Sequence, residues 1–362
     1  MSEDGTVEQV LDRARWAPSG DNTQPWRFEL LGGHRFRIHA HDTRDWCVYD
    51  LEGHASQIAV GALLETIALA ASAVGLAARF EADPEAPETA PRIDVELVAG
   101  TDIEVDPLHA YIEQRATQRR PLSSKALEDD DKRAIEAAVG NAHRVVWIEG
   151  ATEKRRMAGL LFRNAHIRLT TKEAYEVHKR IIEWDAQFSE DRIPDRALGL
   201  DALSLKLMKW AMASWKRVQI LNRYFGGTLL PRLQMDVLPA MGCAAHFLLV
   251  AEQAPRKFVD YLAGGRALQR LWLAAASRQI QFQPELTPLV FAEYVRKGLP
   301  FTADQRALKD ARGLLADLEA IAGRDQVSRA VFAGRVGYGG APTARSVRLR
   351  LARLAAAAAG AP

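Results

Sequence analysis

The sequence predicts a fold of mixed helix and strand, laid out as two passes along one chain, and three observations carry that expectation. Short apolar stretches bounded by Gly, Pro, Asp or Asn alternate with longer stretches whose apolar residues recur at helical spacing. A helix-like segment beginning at Gly61 has an echo beginning at Gly265. A stretch rich in helix formers, Trp, Arg and Lys occupies residues 153–233, inside the second pass. With 362 residues, 48% of them apolar and 26% charged, the chain can bury a substantial core, which argues against disorder or a collagen-like structure.

Residues 7–15 read as a short helix, and 16–25 as turn chemistry, with Pro, Ser, Gly, Asp and Asn crowded together. Residues 26–31 and 35–40 predict a hairpin around Gly32-Gly33. Residues 54–76 are apolar on most sides, through Ile58, Leu63, Leu64, Ile67, Leu69 and Val74, and predict a core helix. Strands are expected at 78–81 and 93–98, across the Pro-rich connection 83–91. The second pass starts near Pro107, with helices expected at 108–115 and 126–139 and a strand at 144–148. After the helical stretch come a strand at 246–252, a helix at 265–280, a strand or extended loop from Gln281 and a late strand at 331–338. The closing ARLAAAAAGAP reads as frayed. Aligned without gaps, GALLETIALAASAVGL from Gly61 lies over GRALQRLWLAAASRQI from Gly265, with Leu64/Leu268 and the Leu-Ala-Ala triplets coinciding. A duplication fits this echo, and so do two Ala/Leu-rich buried helices alike by composition.

The formal net charge of +2 gives no reason to expect a nucleic-acid or membrane partner. MSEDGTVEQV has no basic region followed by an apolar stretch, so a cytoplasmic protein is expected. Charged residues are expected to interrupt every apolar run before the roughly 18 to 20 residues that span a bilayer. Cys47 and Cys243 are far apart and without a CxxC partner, which leaves neither a disulfide framework nor a thiolate metal site. His39 and His41 share one face of a predicted strand without a third matched ligand, so no metal is expected. Neither GxGxxG nor GxxxxGK[ST] occurs.

Two strings carry chemistry. In APSGDNTQPW, from Ala17 to Trp26, two prolines limit the backbone, and Ser19, Asn22 and Gln24 can both donate and accept hydrogen bonds. Such a loop suits a planar ligand edged with heteroatoms. An Asx-type turn would account for Asn22 and Pro25, though not for the whole string. The second string runs Arg115-Ala116-Thr117-Gln118-Arg119-Arg120-Pro121. A guanidinium fits phosphate oxygens bidentately and a short hydroxyl adds one directional bond; a solvated basic turn is the alternative.

APSGDNTQPWRF resembles the APSxxNxQPWxF signature of the nitroreductase superfamily, with seven specified positions matched within the first ten. The resemblance implies an α+β, nitroreductase-like fold with FMN in the interface of two subunits, one giving the loop and the other the phosphate site. By the same resemblance Pro18, Ser19, Asn22 and Gln24 lie against the isoalloxazine or ribityl portion. Arg115, Thr117 and Arg119 match the family's RxSxR-like stretch, with Thr for Ser, which grips the phosphate or ribityl chain and approaches the pyrimidine edge. Arg345 and Arg348 are similar to the family's closing basic residues, although Arg350 and Arg353 are equally basic. Pro284 and Glu285 fall where the family's loop passes the reactive flavin edge, and the Glu285 backbone N–H is expected near N5.

A simple member carries the basic stretch first and the loop later. Here the first half, 1–105, has the loop without a basic opening, and the second half, 106–350, has the basic opening without the loop. The insertion at about 153–233 belongs to the second half, and 351–362 is expected to be a flexible tail. A divided set builds one site per chain, which predicts an intramolecular pseudo-dimer holding one FMN and working as a monomer. The activity implied is transfer of electrons from NADH or NADPH through FMN to a small-molecule acceptor such as a nitroaromatic or a quinone. The insertion suits a lid, with Trp184, Trp210 and Trp215 lining a pocket or packing the lid itself. A lid that stays shut would instead make an FMN-sequestering protein, and an oxidase or dehydrogenase on a dedicated substrate uses the same FMN.

Overall fold

The computed structural model describes residues 3–100 and 102–356. Gly32 and Gly33 turn the first hairpin at φ of 85° and 61°, where glycine carries no Cβ strain. They join β1 (Trp26–Gly32) to β2 (Arg35–Ala40), whose alternate residues Phe36, Ile38 and Ala40 face the core. Helix α1 (Glu3–Ala14) sends Val7, Val10, Leu11 and Ala14, one helical stripe, into the same core. With β3 (Leu76–Ala82) and β4 (Arg92–Ala99) these strands make an antiparallel sheet of order β1-β2-β4-β3. Helix α2 (His54–Ser72) covers it. By length and composition alone the segment Leu51–Ser72 could cross a membrane, which corrects the expectation that charges interrupt every apolar run. Glu65 is the single acidic or basic residue of its last 18 positions, and the segment is buried inside the protein.

The second pass opens with α3 (Asp129–Ala138), β5 (His143–Ile148), α4 (Gly150–Thr170) and α5 (Lys172–Ile181). Three two-residue strands follow, β6 (Ile182–Glu183), β7 (Phe188–Ser189) and β8 (Ile193–Pro194), and then α6 (Ala202–Met212), α7 (Trp215–Tyr224), α8 (Leu229–Arg232) and α9 (Leu238–Met241). Strand β9 (Ala245–Ala251), helix α10 (Phe258–Ser277) and strand β10 (Ile280–Pro284) come next. Helices α11 (Thr287–Lys297), α12 (Gln305–Ala322) and α13 (Arg324–Arg329), then β11 (Ala330–Tyr338), β12 (Arg345–Ser346) and α14 (Leu351–Leu354), complete the chain. The second sheet is again antiparallel and four-stranded, in the order β10-β11-β9-β5. Its central strand β9 turns Phe247 and Leu249 toward α10 and Leu248 and Val250 toward α4 and α12, so helices cover both faces.

Four expectations need correction. Residues 108–115 are not an α-helix: Pro107–Tyr111 is a 3-10 turn capped by Asp106, after which Gln118 donates its N–H to Phe282 O at 2.9 Å and the chain runs beside β10. The stretch 153–233 is helical as expected over 153–181 and most of 202–233, but it is interrupted at 182–201 by short extended segments and the 3-10 turn Asp195–Ala197; β6 pairs with β8, and β7 with β12. Helices α11, α12 and α13 fill a region assigned no elements. Residues 351–356 are packed, with Leu354 buried and Ala356 N–H on Phe28 O at 2.7 Å; residues 357–362 lie outside the described residues.

The echoing segments meet each other. A Cβ on Gly265 would lie 2.0 Å from Ile58 O, and one on Gly61 would lie 2.1 Å from Leu262 O, so α2 and α10 cross backbone against backbone at the two matching glycines. Around the crossing Glu65 pairs with Arg266 at 2.8 Å and Arg270 at 2.9 Å, and Gln269 donates to Thr66 at 3.0 Å. The crossing joins the layer built by residues 26–99 to the layer built by 143–338.

Candidate ligand site

A cavity of about 630 Å³ opens where the loop before β1, the extended stretch 115–119, the corner between β10 and α11, and the segment around β12 converge. Pro18, Ser19, Asn22, Arg115, Thr117, Arg119, Pro284, Glu285, Arg345 and Arg348 all line it. Gln24 is not among the lining residues. Its side chain is fully buried, donating to Asn22 O at 3.1 Å and Glu190 O at 2.8 Å and accepting from Leu349 N at 2.9 Å. The Glu285 N–H also departs from expectation, since it donates to Ala333 O at 2.8 Å and is committed to β11.

The loop holds a costly shape. Asp21, Asn22 and Gln24 sit at φ of 52°, 63° and 47°, the left-handed region that non-glycine residues seldom occupy. Distant partners hold it there. Ser19 Oγ accepts from Gln24 N at 3.0 Å, Asn22 Nδ2 donates to Ser189 O at 3.4 Å and Arg192 O at 3.2 Å, Arg115 donates to Trp16 O at 3.1 Å, and Arg348 to Ala17 O at 2.9 Å. Residues from the middle and the end of the chain thus grip the carbonyls that precede the loop. Burial raises the Asp21 carboxyl to about 6 against the opposing pull of Arg119.

Arg115, Arg345 and Arg348 form the cationic end of the cavity. Arg115 and Arg348 are buried, and none of the three has an ion-pair partner among the described residues. Burial and the mutual repulsion of the three groups pull Arg115 well below the usual guanidinium range, and burial with Arg345 beside it pulls Arg348 to about 9. Arg115 stacks 4.3 Å from the Trp272 ring centre, and Trp272 stacks in turn on Phe282. Buried, crowded guanidinium groups of this kind gain from an anion. Arg350 is exposed and Arg353 pairs with Glu190, so structure separates the two candidate arginines from their equally basic neighbours.

Six buried polar atoms of lining residues have no hydrogen-bond partner: Asn22 Oδ1, Asn164 Oδ1, Gln283 Oε1 and the Nε atoms of Arg115, Arg168 and Arg345. Unsatisfied buried groups are few in native folds, and their concentration here marks a place for a polar ligand.

The remaining walls combine fixed polar pairs with apolar surface. Tyr49 Oη and His178 Nε2 are 3.1 Å apart; burial holds the Tyr49 hydroxyl protonated and lowers His178 to about 3, so a neutral phenol and a neutral imidazole share one hydrogen bond. Arg168 meets Asp236 at 2.5 Å, and burial lifts that carboxyl to about 6 despite the arginine. Asp236 belongs to a π-helical turn, Leu233–Val237, a distortion that recurs at functional sites. Glu285 is clasped by His246 at 2.7 Å and Arg335 at 3.3 Å; burial disfavours the imidazolium, but the carboxylate outweighs it and raises His246 to about 10. The sequence reading named Glu285, for its backbone N–H, and missed the other groups, which are isolated in sequence and matched to no motif. Leu207, Met208, Met212, Leu221 and Met235 supply apolar lining. Trp184, Trp210 and Trp215 do not line the cavity; Trp215 packs on Tyr175 at 5.2 Å between ring centres.

Fold and site define an α+β protein with a cavity of cofactor size, cationic at one end and apolar on one wall. No family model matches the chain. It is 25% identical over 288 residues, 77% of its length, to the uncharacterized protein MT1398 of Mycobacterium tuberculosis (strain CDC 1551 / Oshkosh), and it spans 38% of that protein's length. Among solved structures it is similar to the FMN-dependent nitroreductase NfnB from Mycobacterium smegmatis in complex with NADPH, at 16% identity and a TM-score of 0.37, over 68% of this chain and 96% of that one. It is also similar to a nitroreductase-like family protein from Bacillus cereus, at 13% identity and a TM-score of 0.33, over 73% of this chain and 100% of that one.

Proposed function

We propose that this chain is an FMN-binding oxidoreductase that moves electrons from NADH or NADPH to a small-molecule acceptor, with its two halves serving as the two subunits of a dimer. The observation that carries the reading is the trio Arg115, Arg345 and Arg348, two of them buried and none with an ion-pair partner among the described residues, in the same cavity as Ser19 and Asn22 of the APSGDN loop. The residues fit the cofactor. A phosphate monoester would relieve the crowded guanidinium charges, and a heteroatom-edged ring would meet the unpartnered amide oxygens of Asn22, Asn164 and Gln283. When bound, FMN supplies the acceptance and release of hydride.

The protein's own work is placement and exclusion. Arg115, Arg345 and Arg348 neutralise the phosphate, with Thr117 adding a hydroxyl donor. Arg119, which burial lowers to about 10, stays a cation at neutral pH and favours negative charge on a neighbouring ring. The Leu and Met side chains of α6 and α7 make that wall of the cavity apolar.

Anaerobic reduction tests the reading. Purified protein should show a flavin spectrum that NADH or NADPH bleaches rapidly, and Arg115→Gln should raise the FMN dissociation constant about 10- to 100-fold, the value of a lost charged hydrogen-bonding group. Colour that only dithionite removes would replace turnover with FMN sequestration. A colourless protein that rejects added FMN ends the flavin reading.

A further inference from the structure

We propose that helices α6, α7 and α8 form a docking face for an anionic membrane surface, so that one rim of the cavity lies against lipid. Residues 202–235 contain no Asp or Glu but six cations, Lys206, Lys209, Lys216, Arg217, Arg223 and Arg232. Among the described residues only Lys209 of these has an ion-pair partner, Asp185. The near-zero net charge of the whole chain, which gave no reason to expect a membrane partner, hides this local imbalance.

The same helices carry the exposed apolar surface. Of the sixteen large apolar side chains exposed among the described residues, ten fall between Leu203 and Leu238. On α6 the exposed Leu203, Leu207 and Trp210 follow i, i+4, i+7 spacing, one face of a helix, with Lys206 and Lys209 along one side of it. Helix α7 buries no residue at all. Apolar and aromatic anchors bordered by Lys and Arg are the pattern of a helix that lies in the headgroup region of a bilayer. Leu207, Phe225 and Leu230 are 50%, 73% and 50% exposed and also line the cavity, so its rim on this side is continuous with the patch.

Charge selects the occupant. A second copy meeting this face symmetrically would set six cations against six, which disfavours that contact. An anionic lipid surface matches both the cations and the leucines. The proposal does not depend on which cofactor the cavity holds.

Co-sedimentation with vesicles tests it. The full chain should sediment with phosphatidylcholine vesicles containing about a third phosphatidylglycerol and bind pure phosphatidylcholine at least about tenfold more weakly, with high salt reducing the difference. Combined Lys206→Glu, Lys216→Glu and Arg223→Glu should lower partitioning about a hundredfold or more, at roughly a factor of five per cation removed. Combined Leu203→Ser, Trp210→Ser and Tyr224→Ser should abolish the salt-resistant remainder. All six positions are exposed and outside the cavity lining, and unchanged melting midpoints would show that the variants fold. The proposal is overturned if the wild type stays in the supernatant with anionic vesicles, or if the charge variant sediments as the wild type does. It is equally overturned if these residues drive self-association or oligonucleotide binding in place of vesicle binding.

Discussion

Asp21 stands in the cavity wall at φ 52°, with the charge of Arg119 favouring its ionised form and that of Asp50 opposing it. Because burial lifts its carboxyl from 3.8 to about 6, the folded state holds the proton more tightly than the unfolded chain does. Its contribution to stability is therefore complete below pH 3.8 and lost as pH rises through about 6. Asp21→Asn removes the titration and tolerates the left-handed backbone. The full shift is worth about 3 kcal/mol. Discounted for water in the cavity, the variant should gain about 1 to 2 kcal/mol on the wild type between pH 4 and pH 7.5. Urea midpoints at the two pH values measure this, and an equal difference at both would remove Asp21 from the account. At this scale the loop and the arginines were legible because their chemistry is local to short strings. Gln24 was not: its carboxamide differs from that of Asn22 by one methylene, and its partners Glu190 and Leu349 lie 166 and 325 residues away. The Glu285 N–H was illegible for a similar reason, since its acceptor is set by the pairing of two strands.

At the scale of elements, the α2–α10 crossing has the least room for change. A methyl group on Gly265 would fall 2.0 Å from Ile58 O and 2.9 Å from Ala62 N, both backbone atoms that cannot swing aside. Gly265→Ala should therefore separate the helices and destabilise the protein by about 3 kcal/mol, the upper range for overpacking, despite the higher helix propensity of alanine. Gly159→Ala on α4, where a Cβ meets nothing within 4 Å, serves as the control and should be neutral or stabilising. Equal midpoints for the two variants in urea would show that the close crossing is not limiting. The echo of Gly61 and Gly265 was legible as a pattern, but its contact was not, because composition cannot tell two similar helices from two touching ones. Helix α12 was open to detection: Asp304 caps it, and Ala307, Ala311, Leu314 and Leu318 recur at helical spacing. The extended pieces at 182–201 had no such signal, since β7 is ordered by pairing with β12 far along the chain.

For the whole molecule, the proposed FMN site is built from parts that occur once. The strained loop lies in the first half, its grips Arg115 and Arg348 lie in the second, and Asn22 is tied to Ser189 and Arg192 of the insertion. A second, symmetry-related site would need an APSxxN loop following Pro107 and an RxTxR stretch ahead of Ala17, and the sequence has neither. Under the proposed reading, in which the two halves serve as the two subunits of a dimer, this asymmetry predicts stoichiometry. Native mass spectrometry should find one FMN per chain on a monomeric species, and occupancy at fixed free FMN should not change on dilution of the protein, because both walls of the cavity belong to one covalent chain. Two FMN per chain would mean an unrecognised second cavity. Occupancy that falls as the protein is diluted would mean that the site is completed by another copy, and the division of labour between the halves would then need a different explanation.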